Sequence, residues 1–256
     1  MSASIASYDD QVEAEYLEET SDILNEIEVI AEQLAIGSDE GRRRFEILLG
    51  KLGSLCITGR HTRYSLLNVT MHRLVNYLEG MDKPNEGQIQ DISIYADTMR
   101  GIIDGTISHD GWDFSEFVRS LPVRRPLELE DLEHLDVEVM VVEGRRSAAR
   151  IFERELQACG YSVVWVRNPL EAISLAVKTK PDLILASAEL DELPGVDLAC
   201  ALAAMPSTKG IPFALLTSYD KDSPRLKDLP SEAAVLNKGS RFGDELADVL
   251  ERFKIT

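Results

Sequence analysis

The stretch between Pro181 and Gly195 constrains the fold of this chain more than any other. An uncharged apolar run, Leu183–Ala188, begins shortly after Pro181 and is followed by an acidic segment that closes with Pro194 and Gly195. Such a run is typical of a strand buried on both faces of a parallel sheet. Binding sites in open α/β sheets lie at the carboxyl ends of the strands. The acidic segment is therefore the first place to look for a site.

Short apolar runs alternate with helix-periodic segments through the whole second half of the chain. The predicted strands are Val137–Val142, Ser162–Val166, Leu183–Ala188, Ile211–Thr217 and Ala233–Leu236, and the predicted helices are Ser147–Ala158, Pro169–Val177, Val196–Ala204 and Asp244–Phe253. Five strands that alternate with helices predict a doubly wound (βα)5 domain with a five-stranded parallel sheet. Pro224 and Pro230 leave room for only a short helix, or none, before the last strand.

The first half of the chain has the 3.6-residue periodicity of amphipathic helices. The predicted helices are Tyr8–Ala35, Phe45–Ile57, Thr62–Leu78, Ile89–Ile103 and Trp112–Leu121. Short connections predict antiparallel neighbours, and so an up-and-down bundle. The predicted fold class is therefore α + α/β, with an antiparallel helical bundle in residues 1–121, a proline-broken linker in 122–136 and a doubly wound domain in 137–256.

Charge, hydropathy and cysteine content limit the environment and the partners. The formal net charge of −18 over 256 residues disfavours nucleic acids and anionic membranes as ligands, so we expect protein partners. The sequence has no run of about 18 apolar residues and no secretory signal, and we expect a cytoplasmic location. Cys56, Cys159 and Cys200 form no CxxC pair or Cys/His cluster. We expect all three to be buried, reduced thiols.

Four segments of the second half carry a resemblance to a known family. Val139–Gly144, Pro181–Ser187, Leu215–Ser218 and Leu236–Gly239 have the order and spacing found in the receiver domains of bacterial response regulators. The resemblance covers residues 136–255. It implies a pocket in which two adjacent acids follow the first strand, a phosphate-accepting aspartate ends the third, and a Thr or Ser and a Lys come from the fourth and fifth.

This sequence departs from the family at the residues that perform its chemistry. The acid pair is Glu143-Gly144, the acceptor position is Ser187, and only Thr217 and Lys238 match. Carboxylates are needed to hold Mg²⁺ and to form an acyl phosphate, whereas an un-ionised hydroxyl is a weak nucleophile. We therefore expect a pseudo-receiver without a cofactor that does not undergo aspartyl phosphorylation.

Two alternatives would keep some chemistry at this edge of the sheet. Glu189, with Asp191 and Glu192, could join Glu143 in binding a divalent cation such as Mg²⁺, although acids in loops are usually solvated. Ser187 could also be phosphorylated by a different enzyme.

The helical half resembles the histidine-phosphotransfer domain, the type that opens the chemotaxis kinase. Phe45–Ser54 lies without a gap over the family pattern F-R-x-x-H-x-L-K-G-S. The phosphorylated histidine falls on Leu49, which has no nucleophilic nitrogen. The resemblance therefore implies a bundle that offers a binding surface but cannot relay a phosphoryl group through this position.

Together the two resemblances imply a non-catalytic adaptor that binds a histidine kinase, a phosphotransferase or a response regulator. Self-association as a homodimer stays open. So do two catalytic alternatives. His72, in a segment that faintly resembles the H-box of histidine kinases, could be the phosphoacceptor of an active phosphotransferase with a dimeric bundle. Asn68 and Asn76, eight residues apart on one predicted helix, could position water in a phosphatase of a separate phosphorylated receiver.

Overall fold

The structure is a computed structural model that describes residues 2–60, 62–107, 114–123, 136–220, 222–239 and 242–255. The chain divides into two compact units, Met1–Arg124 and Arg125–Thr256. The first unit is helical and the second is a parallel α/β domain, so the predicted α + α/β fold class is confirmed. Most of the predicted linker, 122–136, lies outside the described residues, as does Trp112.

The N-terminal unit is a bundle in which α4 closes a ring of contacts. Its helices among the described residues are α1 (Ser2–Ala35), α2 (Asp39–Gly59), α3 (Ser65–Leu78), α4 (Glu86–Ile103) and α5 (Phe114–Arg119). The helices α1, α2 and α3 each contact the next one along the chain, and α4 also contacts α1. Asn85 begins α4 with a capping box, in which its side chain accepts a hydrogen bond from the Gln88 amide and the Gln88 side chain accepts one from the Asn85 amide.

The C-terminal unit is built on a parallel sheet of five strands among the described residues, in the order β2-β1-β3-β4-β5. The strands are β1 (Glu138–Val142), β2 (Ser162–Val166), β3 (Leu183–Ser187), β4 (Phe213–Thr217) and β5 (Ala234–Asn237), and the helices are α6 (Arg146–Ala158), α7 (Pro169–Thr179), α8 (Gly195–Ala204) and α9 (Phe242–Phe253). Between β4 and β5 the described residues form only a 3₁₀ turn, Pro224–Leu226. This agrees with the short or absent helix that the two prolines predict.

The strand order determines where the candidate site lies. Every residue of β1, β3 and β4 is buried, as expected for central strands covered on both faces. The chain order reverses between β1 and β3, which are neighbours in the sheet. The residues at the carboxyl ends of these two strands therefore lie side by side, at the position where open α/β sheets bind ligands.

The described residues bear on membrane spanning and on the burial of the cysteines. Among the described residues, no helix combines the length and the hydropathy needed to cross a bilayer. The prediction that all three cysteines are buried is wrong: Cys56 is buried, Cys200 is half-buried and Cys159 is exposed. Cys159 directly follows α6 at its exposed C-terminal turn, where a small apolar side chain need not point into the core.

Candidate functional site

The four residues of the predicted degenerate pocket lie at the carboxyl edge of the sheet. Glu143 directly follows β1, Ser187 ends β3, Thr217 ends β4 and Lys238 directly follows β5. Glu143, Ser187 and Thr217 are between 0 and 2% exposed, and the Lys238 side chain is 20% exposed. Three polar residues and one cation thus meet at an edge that is almost closed to water.

Glu143, Ser187 and Lys238 form a polar triad. The Ser187 hydroxyl donates a hydrogen bond to Glu143 Oε2. Lys238 Nζ donates to Ser187 Oγ at 2.7 Å and to Glu143 Oε2 at 3.0 Å. The other carboxylate oxygen, Oε1, accepts from the Arg145 amide at 3.0 Å. The buried carboxylate is therefore bonded at both oxygens, and the serine hydroxyl both donates and accepts.

The charge of Glu143 is stabilised by its neighbours. Burial by itself would raise the pKa of this carboxyl, because a low-polarity environment disfavours the charged form. Hydrogen bonds from Ser187, from the Arg145 amide and from Lys238, together with the charge of Lys238, outweigh burial and lower the pKa of Glu143 below its ordinary value. At neutral pH the triad contains one carboxylate and one ammonium, so its net charge is zero.

The same contacts make Ser187 a poor nucleophile. A hydroxyl needs a base that takes its proton, and a carboxylate with a lowered pKa is a weak base. The Lys238 ammonium donates to the serine oxygen and withdraws electron density from it. Ser187 is also fully buried. The geometry favours a structural hydrogen-bonding role for Ser187 over attack on a substrate.

Thr217 is tied to the local backbone rather than to the triad side chains. Its Oγ1 accepts a hydrogen bond from the Tyr219 amide at 2.9 Å. Its carbonyl oxygen accepts one from the Lys238 amide at 2.9 Å, which fixes the start of the segment that carries the lysine. Thr217 thus positions Lys238 through the backbone.

The acidic loop after β3 is held at two points, here called the loop anchors. At the first anchor Glu189 accepts a hydrogen bond from the Tyr219 hydroxyl and lies 3.7 Å from Arg225 Nη1. The Arg225 guanidinium lies 4.8 Å from the centroid of the Tyr219 ring. At the second anchor Asn168 Nδ2 donates to Glu192 at 3.0 Å. Sequence reasoning missed Tyr219, Arg225 and Asn168, because no motif links them to the acids.

The residues at this edge do not fit a magnesium site. Glu189 is engaged by Tyr219 and Arg225, and Glu143 is engaged by Lys238. Among the described residues, no group of three or more His, Cys, Asp or Glu side chains could hold a metal ion. The weak pairing of Glu143 with Glu189 around a metal ion stays a prediction.

The candidate residues of the bundle lie on two helices. Leu49, at the predicted phosphotransfer position, is half-buried on α2, and His72 is half-buried on α3. Asn76 is also half-buried, but Asn68 is only 3% exposed. The burial of Asn68 disfavours it as the amide that positions water, and the phosphatase alternative stays a prediction for Asn76.

Comparisons with known proteins bear on the receiver resemblance. No protein-family model matches the chain. Over 81 residues, which are 32% of this chain and 66% of the relative, the sequence is 33% identical to the polar-differentiation response regulator DivK of Brucella anthropi. Over these 81 residues the chain is similar to a response regulator. The regulator of the same name from Brucella ovis is 32% identical over the same shares, so the chain spans just under two thirds of the length of these relatives.

Solved structures of receiver domains are also similar to this chain. The signal receiver domain of a signal transduction histidine kinase from Syntrophus aciditrophicus is 27% identical, with a TM-score of 0.42 over 46% of this chain and 89% of that one. The chemotaxis response regulator CheY4 of Vibrio cholerae is 23% identical, with a TM-score of 0.40 over 46% of this chain and 98% of that one. The likeness of the N-terminal bundle to a phosphotransfer domain stays a prediction.

Proposed function

We propose that this protein is a non-catalytic adaptor of two-component signalling. In this proposal it binds a histidine kinase, a phosphotransferase or a response regulator and modulates that pathway without carrying a phosphoryl group itself. Homology of the C-terminal domain to receiver domains supports a role among two-component partners. The observation that carries the non-catalytic part is the polar triad.

The triad occupies the place where a receiver domain would accept phosphate. An acyl phosphate forms on a carboxylate, and Ser187 offers a hydroxyl instead. The carboxylate of Glu143 is bonded to Lys238, Ser187 and the Arg145 amide. These features favour a receiver domain that keeps one conformation and acts through its surface.

The bundle is proposed to act in the same way. Leu49 stands where the resemblance to phosphotransfer domains would require a histidine. Its aliphatic side chain cannot carry phosphate, but a helical face with this residue can still bind a partner. Both domains would then contribute binding surfaces, and neither would contribute phosphoryl transfer.

Phosphodonor incubation tests the proposal. The purified full chain is incubated with acetyl phosphate and Mg²⁺, and separately with phosphorylated kinase proteins, and its intact mass is measured. We expect no adduct. A matched positive control restores both missing acids by Ser187→Asp and Gly144→Asp; a side chain at Gly144 has room, because its Cβ would lie 4.0 Å from Asp191 Oδ2. An adduct on the unsubstituted chain would contradict the proposal.

The same assay tests one alternative, a phosphotransferase that uses His72. His72 is half-buried rather than buried, so its imidazole is partly accessible to a phosphoryl donor. If His72 is the phosphoacceptor, we expect an acid-labile adduct that disappears in His72→Gln. The adaptor proposal predicts that the two proteins behave identically.

A further inference from the structure

The helix α2 has a second stripe of residues that the bundle leaves exposed. Its core side is buried, and the buried members include Phe45, Leu48, Leu52 and Leu55. On the outward side, residues that repeat at alternating steps of four and three are all exposed; they are Arg43, Ile47, Gly50, Ser54 and Ile57, here called the outer seam. Ile47 is 61% exposed and Ile57 is 60% exposed.

Packing among the described residues of the bundle does not explain the composition of the outer seam. A glycine inside a helix destabilises it relative to alanine, and a Cβ added at Gly50 would meet nothing within 4 Å. Packing inside the bundle therefore does not require this glycine. Two large apolar side chains exposed on the same stripe are also unfavourable in water. A helix that packed closely along the seam would bury both isoleucines and would use the space above Gly50.

The spacing of the seam is that of a coiled coil. Steps of four and three give the seven-residue repeat in which positions a and d face a partner helix. With Ile47 and Ser54 at a, Gly50 and Ile57 take d, and the flanking positions g and e fall on Glu46 and Lys51. Both flanking residues are exposed. They carry opposite charges and are five residues apart, which is the offset at which g and e side chains pair between parallel helices.

We infer that the outer seam is a homodimer interface, covered by α2 of a second copy in parallel and in register. Under this two-fold arrangement Ile47 and Ile57 each pack on their own counterparts. Glu46 pairs with the partner's Lys51, and Lys51 pairs with the partner's Glu46. The charge complementarity of the flanking residues makes a second copy the occupant, because Glu46 and Lys51 supply both members of each pair. Arg43, at the preceding d position, lies opposite its own counterpart at the end of the seam and makes no such pair. This interface does not depend on the proposed signalling role.

An open groove lies beside the seam, on the side of Lys51. A groove of about 490 Å³ lies between α1 and α2, and Ile47 and Lys51 line it on the α2 side. Asp22 and Glu26 line it on the α1 side. The seam therefore borders an open groove lined by both charged and apolar side chains.

Sedimentation velocity of the full chain over a dilution series tests the interface. We expect a reversible monomer–dimer equilibrium that is lost in Ile47→Ser with Ile57→Ser. The matched control is Ile94→Ser, which removes an isoleucine that is 43% exposed on α4, and it should dimerise normally. Circular dichroism should be unchanged in all variants, because the substituted side chains are exposed. A chain that is monomeric throughout, or a dimer that survives the seam substitutions, would overturn the inference.

Charge reversal tests whether Glu46 and Lys51 pair between helices, and whether the partner is a second copy of this chain. Lys51→Glu alone and Glu46→Lys alone should each raise the dimer Kd by roughly tenfold, because each replaces two attractive pairs by two repulsive ones. An equimolar mixture of the two variants should restore dimerisation, since every pair is again complementary. If the mixture stays dissociated, the pairing is wrong. A partner other than a second copy would also leave the mixture dissociated.

Orientation is tested by cross-linking. In a parallel pair in register Ser54 lies opposite its own counterpart, so Ser54→Cys should form a disulfide-linked dimer on mild oxidation. The exposed Cys159 is first replaced by Ser to remove the background. Failure to cross-link, while the dimer persists by sedimentation, would overturn the parallel arrangement.

Discussion

Replacement of Lys238 by methionine should destabilise the C-terminal α/β domain more than any other single change in the triad. Glu143 is 2% exposed, and Lys238 bonds it at 3.0 Å. Removal of one partner of a buried ion pair typically costs about 3 to 5 kcal/mol, because the other charge is left buried. The Lys238 side chain is 20% exposed, and Ser187 and the Arg145 amide remain bonded to Glu143. We therefore expect a loss of about 2 to 3 kcal/mol at neutral pH.

The loss of stability in Lys238→Met should become smaller as the pH falls. The pKa of Glu143 is lowered in the folded protein, so this carboxylate stabilises the native state above the unfolded pKa of about 4.3, and the contribution is lost as the pH falls through the lower folded-state pKa. In Lys238→Met the effect of burial is less opposed, and we expect the folded-state pKa to rise. The loss of stability in Lys238→Met is then largest at neutral pH, and protonation of Glu143 reduces it. The difference between the two proteins should shrink as the pH falls from about 7 to about 4.

Urea denaturation followed by tryptophan fluorescence measures the stability of the C-terminal domain, which contains the triad. The indole Nε1 of Trp165 donates to the backbone oxygen of Glu143 at 2.8 Å, so Trp165 reports on the surroundings of the triad. The chain has two tryptophans, and Trp112→Phe in every protein leaves Trp165 as the sole probe. Midpoints and slopes then give the free energy of unfolding of this domain.

Glu143→Gln is the matched control. It leaves Lys238 without its carboxylate, but the lysine is partly exposed and can turn its ammonium to water. We expect a smaller loss of about 1 kcal/mol. Equal losses for the two variants, or a Lys238→Met loss that does not shrink at acid pH, would refute the assignment of Glu143 as a buried carboxylate held by Lys238.

Two further predictions concern the bundle, and both are checked by thermal unfolding followed by circular dichroism. Gly59→Ala should destabilise it by about 2 kcal/mol, because the new Cβ would lie 2.5 Å from Asn68 Oδ1 and 2.8 Å from the Tyr16 hydroxyl; an unchanged melting temperature would contradict this packing. Asn85→Ala should cost about 1 kcal/mol by removal of the cap of α4, and Asn85→Ser, which can also cap, should recover most of that loss.

The strands could be predicted because strands that are buried on both faces of a sheet have uninterrupted apolar sequences. Ser162–Val166 is both the predicted and the observed β2, and the predicted Ile211–Thr217 contains β4, Phe213–Thr217. Helix ends were less predictable. The prediction started the fourth helix at Ile89, but α4 begins at Glu86. The capping box at Asn85 supplies partners for the first amides, so the helix extends into a segment that its composition marks as a turn.

The sequence predicts where the candidate site lies, but not which of its side chains bond to one another. The motif spacing places Glu143, Ser187 and Lys238 at one edge of the sheet, but it does not state that Lys238 would bond both of the others. That outcome depends on the side-chain directions of residues 44 to 95 positions apart. The exposure of Cys159 was missed because its apolar neighbours suggested burial.

The loop anchors have a thermodynamic consequence for any partner of this edge. A surface loop that becomes ordered on binding loses conformational entropy, and this loss weakens the complex. Here Tyr219 and Arg225 hold one side of the acidic loop, and Asn168 holds the other. Each contact restricts the free loop, although the Arg225 and Glu189 side chains are themselves 69% and 77% exposed. The conformational entropy that these contacts have already removed is not lost again when a partner binds, so ordering of the loop weakens the complex less.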